Sequence, residues 1–115
     1  MREDLLKKKC VPCESTDDPF DAEKIKIYWP SLSMEWKLID AKKIRLEYTG
    51  KNFMELIKII DKIAEIAENE GHHPDLFLSN YKHLAIELMT HNINGLSEND
   101  FIEAVKIEEL LKNWN

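Results

Sequence analysis

The chain has 115 residues, enough for one domain with a single modest hydrophobic core. Its 43% apolar and 33% charged residues are those of a globular rather than a disordered chain, and a formal net charge of −6 excludes a generally basic, phosphate-binding surface. No apolar run approaches the ~20 residues of a membrane-spanning helix. The opening Met1-Arg-Glu-Asp-Leu-Leu-Lys7 has neither the apolar stretch of a secretory signal nor the acid-poor character of a transit peptide. The expected setting is the cytoplasm, with neither nucleic acid nor membrane as partner.

Residues 1–17 read as an irregular N-terminal arm. Its one basic run, Lys7-Lys8-Lys9, reads as a solvated tail, and Cys10-Val-Pro-Cys13 is half of a zinc site with no second cysteine pair to complete it. Reduced thiols are the expectation for a cytoplasmic chain. Residues 18–115 then read as one domain. Asp18 supplies an N-cap, Pro19 a first helical residue and Asp21 a first-turn acid, predicting a helix from about Pro19 to Trp29 that ends before Pro30.

Met34, Trp36 and Leu38 alternate with Glu35, Lys37 and Ile39, and Ile44, Leu46 and Tyr48 alternate with Lys43, Arg45 and Glu47. Period two predicts two strands, and the short Asp40-Ala41-Lys42 connection predicts that they form an antiparallel hairpin. Asn52 followed by Glu55 is a capping-box pattern, and the helical period then runs through Phe53, Leu56, Ile57, Ile60, Ile63, Ala64 and Ala67 to Gly71. Beyond Pro74, Leu76 to Tyr81 reads as a short strand. Residues 83–91 read as another, with His91 on the face opposite Leu84, Ile86 and Leu88.

Asn94-Gly95 marks a turn, and Ser97-Glu-Asn-Asp100 caps a last helix carrying Phe101, Ile102, Ala104, Val105, Ile107, Leu110, Leu111 and Trp114. That arc is wider than one face packed on a sheet requires, so the 97–114 helix is expected to meet a second copy as well. The order α-β-β-α-β-β-α predicts an α+β fold: a four-stranded antiparallel sheet with helices packed on one face.

The stretch Glu68-Asn-Glu-Gly71-His72-His73-Pro74-Asp75 is where chemistry is expected. Gly71 is the residue type that ends a helix in the left-handed conformation, and Pro74 biases His73 towards extended backbone. Glu65, Glu68 and Glu70 crowd the last helical turns, where the macrodipole already disfavours carboxylates. Negative potential beside an imidazole favours its charged form and makes it an acid near neutral pH. His91 adds a third imidazole. Taken singly, Trp36 reads as a core aromatic, Asp100 as a cap, Thr90 as a β-branched strand residue and Glu68 as a solvated helix residue. Three histidines invite a metal reading, but adjacent histidines in extended chain point apart and no His-x-His or His-Glu-x-x-His spacing exists, so no metal is expected. No Ser or Cys stands in a recognisable nucleophile context.

The run Glu68-x-x-x-His72-His73-Pro74, then Tyr81, Thr90-His91 and Gly95-Leu96-Ser97-Glu98-x-Asp100, resembles the pterin-4a-carbinolamine dehydratases. The likeness is close over the C-terminal half and reaches Trp36 and the first strands. His-Pro-Asp-Leu and the Cys-x-Pro-Cys arm look like the plant and protozoan branch. The resemblance implies dehydration of 4a-hydroxytetrahydropterin to quinonoid dihydropterin during tetrahydrobiopterin recycling, with the pterin as substrate and no cofactor. It also implies a homo-oligomer, either a dimer or a dimer of dimers. Around the pterin it places His72, His73 and His91 as catalytic residues, with Trp36, Glu68, Pro74, Thr90 and Asp100 as binding residues. Within that frame His72, beside the helix end and Glu68, is the expected acid, His91 the base, and His73 orients the ring. A non-catalytic dimerisation or partner-binding module on the same fold is the alternative.

Overall fold

The computed structural model describes residues 1–114, so Asn115, the last residue of the expected 18–115 domain, lies outside the described residues. Among the described residues four α-helices, α1 (Arg2–Lys7), α2 (Ala22–Tyr28), α3 (Phe53–Glu70) and α4 (Glu98–Lys112), accompany four strands, β1 (Lys37–Ile39), β2 (Lys43–Thr49), β3 (Asp75–Ser79) and β4 (His83–Leu88). All strand pairs are antiparallel, in the order β1-β2-β4-β3. The α+β class with helices on one face of the sheet is therefore as expected. Ile44, Leu46, Leu84, Ile86 and Leu88 from the sheet meet Leu56, Ile59 and Ile63 of α3 and Phe101, Ile102 and Val105 of α4 in one buried cluster.

The arm departs from the expectation of irregularity, because its first residues form α1. A six-residue helix has no stability of its own, and tertiary contacts hold it. Leu5 is buried, and Arg2 reaches Glu108 (2.5 Å), Glu109 (2.9 Å) and the carbonyl of Ser31 (2.8 Å). Helix α2 also starts later than expected. The cap is Asp21, whose side chain accepts from the Lys24 amide, while the backbone at Phe20 donates to the Leu96 carbonyl (2.8 Å) and Pro19 lies against Gly95. A Cβ at Gly95 would stand 2.6 Å from the Pro19 Cβ, so glycine is required by close approach.

Three further boundaries move. Strand β1 covers only Lys37–Ile39 of the alternating 34–39 stretch, and β3 stops at Ser79 because Asn80 and Tyr81 take positive φ values of 48° and 52° in the turn to β4. Strand β4 ends at Leu88, so His91 is not a strand residue. The reason is partner supply: β2 pairs only as far as Leu88 and β3 as far as Glu87. Beyond them the backbone folds on itself, with Thr90 and Gly95 exchanging hydrogen bonds (2.8 and 3.4 Å) around a 3₁₀ turn, His91–Ile93.

The apolar arc of α4 is used up inside the chain. No residue from Glu98 to Leu111 is exposed, since α1, α3 and the arm all pack against this helix. The wide arc expected to meet a second copy is thus accounted for within one subunit, where the helix serves several neighbours, while Lys112 and Asn113 at its end are exposed. Among the described residues, no helix is long and apolar enough to cross a membrane.

Candidate functional site

Asn52 caps α3 by accepting from the Glu55 amide, and Gly71 ends it at φ 65°. The His72 amide then donates back to the Ala67 carbonyl (3.2 Å), which fixes where the next side chains leave the helix. His72 turns inward. Its Nε2 lies 2.7 Å from Asp100 Oδ1, and its side chain is only 12% exposed. Asp100 is fully buried, and its second oxygen accepts from the Ser97 amide (2.9 Å) and the Thr90 hydroxyl (2.9 Å). The capping acid of α4 and the partner of His72 are one carboxylate.

Burial alone disfavours the charged His72 ring. The hydrogen bond and charge of Asp100, followed by the charges of Glu103 and Glu70, more than offset it, so its pKa rises above the ordinary 6.5. Glu68 is not the acid that acts on His72: it pairs with His73, Oε2 to Nε2 at 2.5 Å, on an exposed outer surface. Neighbours in extended chain point to different sides, and the carboxylate four residues before His72 meets the other ring.

His91, at the start of the 3₁₀ turn, is 65% exposed and stands 4.0 Å from Asp75 Oδ2, an acid that adjacency in sequence did not indicate. The three imidazoles border one cleft of about 380 Å³. Gly71-His72-His73 forms one wall and Met89-Thr90-His91-Asn92 a second, and the third comes from Val11-Pro12-Cys13 with Asn99. Of the expected binding residues only Thr90 lines this cleft, with Asp100 held behind it. Pro74 sits between elements and Glu68 faces an outer groove beside Asp61 and Glu65. Trp36 is buried elsewhere, its indole donating to Glu108 Oε2 (2.8 Å) inside a cage that includes the amides of Ser33 and Met34.

Val11, Pro12, Cys13, Met89, Asn92 and Asn99 were not anticipated as cleft residues. The arm is strapped over the site. Asn99 accepts from the Val11 amide (3.0 Å) and donates to its carbonyl (2.6 Å), as a neighbouring strand would. The Cys10 amide donates to Glu70 (2.8 Å), and Lys106 Nζ bridges Glu70 and the Lys8 carbonyl (both 2.6 Å). Asn92 donates to the Cys13 carbonyl (3.0 Å). Both cysteines are free, and the Cys10 thiol, desolvated and close to Glu70 and Glu103, is pushed far above its ordinary value. The Cys-x-x-Cys spacing was the available signal, but its significance here is positional.

Among the described residues no cluster of three or more His, Cys, Asp or Glu side chains is arranged to hold a metal ion. What the cleft offers is a largely buried imidazole tied to a carboxylate, with one accessible imidazole beside it and another on the neighbouring wall: groups able to give and take a proton around one small polar molecule.

Comparison with known proteins agrees in extent. The chain matches the family described as Pterin 4 alpha carbinolamine dehydratase over residues 18–110. It is 42% identical over 105 residues to a protein of Alkaliphilus metalliredigens, covering 91% of this chain and 94% of that one. It is 40% identical over 112 residues to one of Legionella pneumophila strain Corby, covering 96% and 98%. Both carry, provisionally, the name pterin-4-alpha-carbinolamine dehydratase. A Brucella melitensis crystal structure described as a transcriptional coactivator/pterin dehydratase superposes with TM-score 0.73 at 24% identity, over 81% of this chain and 98% of that one, which speaks to the fold.

Proposed function

The chain belongs to the pterin-4-alpha-carbinolamine dehydratase family of hydro-lyases, and from that premise we propose that the cleft between α3, β4 and the arm dehydrates a 4a-hydroxytetrahydropterin. The carrying observation is the His72–Asp100 pair, with His73 beside it on the same wall and His91 on the next wall of one cleft. In the reaction the C4a–O bond breaks, the hydroxyl leaves as water with a proton from the protein, and the N5 proton passes to a base. The N5 lone pair drives the elimination, so the products are quinonoid dihydropterin and water, and no cofactor is called on.

His72 suits the acid. With Nε2 engaged by Asp100, Nδ1 is the ring nitrogen left to deliver a proton, and the hydrogen bond and charge of Asp100 favour the charged ring. His91, more open to solvent, suits the base, and His73, held by Glu68, suits contact with the pterin ring. The physiological context we propose is recycling of tetrahydrobiopterin in the cytoplasm. The partner-binding alternative rested on the arc of α4, which the fold consumes, and gains no support from the surface of that helix.

Stopped-flow measurement with authentic 4a-hydroxytetrahydropterin tests the proposal. Dehydration should exceed the spontaneous rate, and His72→Ala should lower it by about 10²-fold or more, the usual scale for a general acid. A wild-type rate equal to the spontaneous one overturns the reading.

A further inference from the structure

Helix α4 presents Asp100, Glu103 and Lys106 at successive three-residue steps, on one face turned towards the C-terminal end of α3. The outer two each cross to that end: Asp100 binds His72, and Lys106 binds Glu70. Glu103 lies between these two bridges. It is fully buried, and neither of its oxygens has a hydrogen-bond partner among the described residues. A buried carboxyl without partners is an expensive feature in a small domain, and where one stands beside a functional pair it calls for an explanation. Neither the proton transfers proposed above nor the cap of α4 uses it, since the capping box is complete with Ser97 and Asp100.

We infer that Glu103 is a positioning residue for His72, a buried proton-holding carboxyl behind the His72–Asp100 pair that sets the pH range over which the imidazolium persists. The groups facing it are the His72 ring, Asp100 and Lys106 of α4, Glu70 at the end of α3, and the Cys10 thiol of the arm. Desolvation dominates its environment. The His72 and Lys106 charges favour its carboxylate, and Glu70 and Asp100 oppose it, leaving the group pushed up to about 8. Glu103 is therefore neutral at acid pH and becomes negative as pH rises through that value. At that pH an undefended imidazolium would be losing its proton, and the new negative charge acts to retain it.

The inference rests on His72 being the working acid, yet its test reads the ring directly. In the full chain, NMR titration of the His72 ring, assigned by comparison with His72→Gln, should give a midpoint lowered by about one pH unit in both Glu103→Gln and Glu103→Leu. The alkaline limb of the dehydration profile should fall with it. An unchanged His72 midpoint in either folded variant overturns the inference. If neither variant folds, the wild-type chain decides: ¹³C-labelled Glu103 should titrate well above the ordinary glutamate range, with a matching inflection in the His72 shifts. A carboxyl titrating in the ordinary range, or no shared inflection, overturns the inference. A wild-type chain that fails to dehydrate the pterin refutes the proposed reaction and leaves the ring titration to judge Glu103 by itself.

Discussion

Asp100 shows how one side chain can serve a helix and a site at once. One oxygen closes the capping box at Ser97 and accepts from Thr90, and the other receives the His72 ring, so the start of α4 and the orientation of the imidazole are inseparable. The same neighbourhood carries a stability cost at Glu103. Its folded value of about 8 lies above the ordinary 4.5, so between those pH values the native state holds a proton that the unfolded chain has lost. Stability must then fall as pH rises through that window and level off above it. Glu103→Leu should accordingly gain on the wild type by on the order of a few kcal/mol from the acid end of the window to the alkaline end. Urea unfolding at several pH values checks this, and a pH-independent difference would show that the carboxyl titrates as in the unfolded chain.

At the scale of elements, the arm turns an open surface into a cleft. Asn99 holds Val11 by both its amide and its carbonyl, so Asn99→Ala should release that wall while leaving the His72–Asp100 pair in place. The expected result is a KM for the pterin raised by about 30-fold with a smaller change in kcat, on the scale of two lost hydrogen bonds at about 1 kcal/mol each. Unaltered KM would mean that the arm takes no part in binding. Helix α1 works at the other end of α4, where Arg2 meets the fully buried Glu108. Arg2→Met keeps the apolar stem and removes the charge, and should cost about 2–3 kcal/mol because Glu108 stays buried among the amides of Ser33 and Met34 and the Trp36 indole. Denaturant midpoints measure it, and a loss below about 0.5 kcal/mol would place this pair with ordinary surface bridges.

For the molecule as a whole, the consumed arc of α4 moves the question of self-association to the sheet. Strand β3 is an edge, and on the face away from the helices Phe77 is 48% exposed beside Arg45, at 5.6 Å from ring centroid to guanidinium. An edge strand with an open aromatic is a surface on which a second copy can pair. Sedimentation equilibrium should show a species heavier than 13.5 kDa that Phe77→Lys weakens. A single monomeric species at all concentrations would count against any homo-oligomer.

Much of the local architecture is encoded by a few neighbouring residues. The Asn52 cap and Gly71 stop of α3, the capping box at Ser97 and Asp100, the period-two strands and the order of elements from α2 onward all rest on contacts within a few positions. Tertiary structure decided the pairings. His72 meets Asp100 across 28 positions and leaves Glu68 to its neighbour, Trp36 goes to Glu108 across 72, and the arm crosses 88 to reach Asn99. Helix α1, too short to persist alone, exists because α4 is there to receive it. The early end of β4 follows from strands that stop beside it. Local hydrogen bonding and periodicity are written along the chain, whereas the partner of a buried charge is set by which distant group the packed core brings within 3 Å of it.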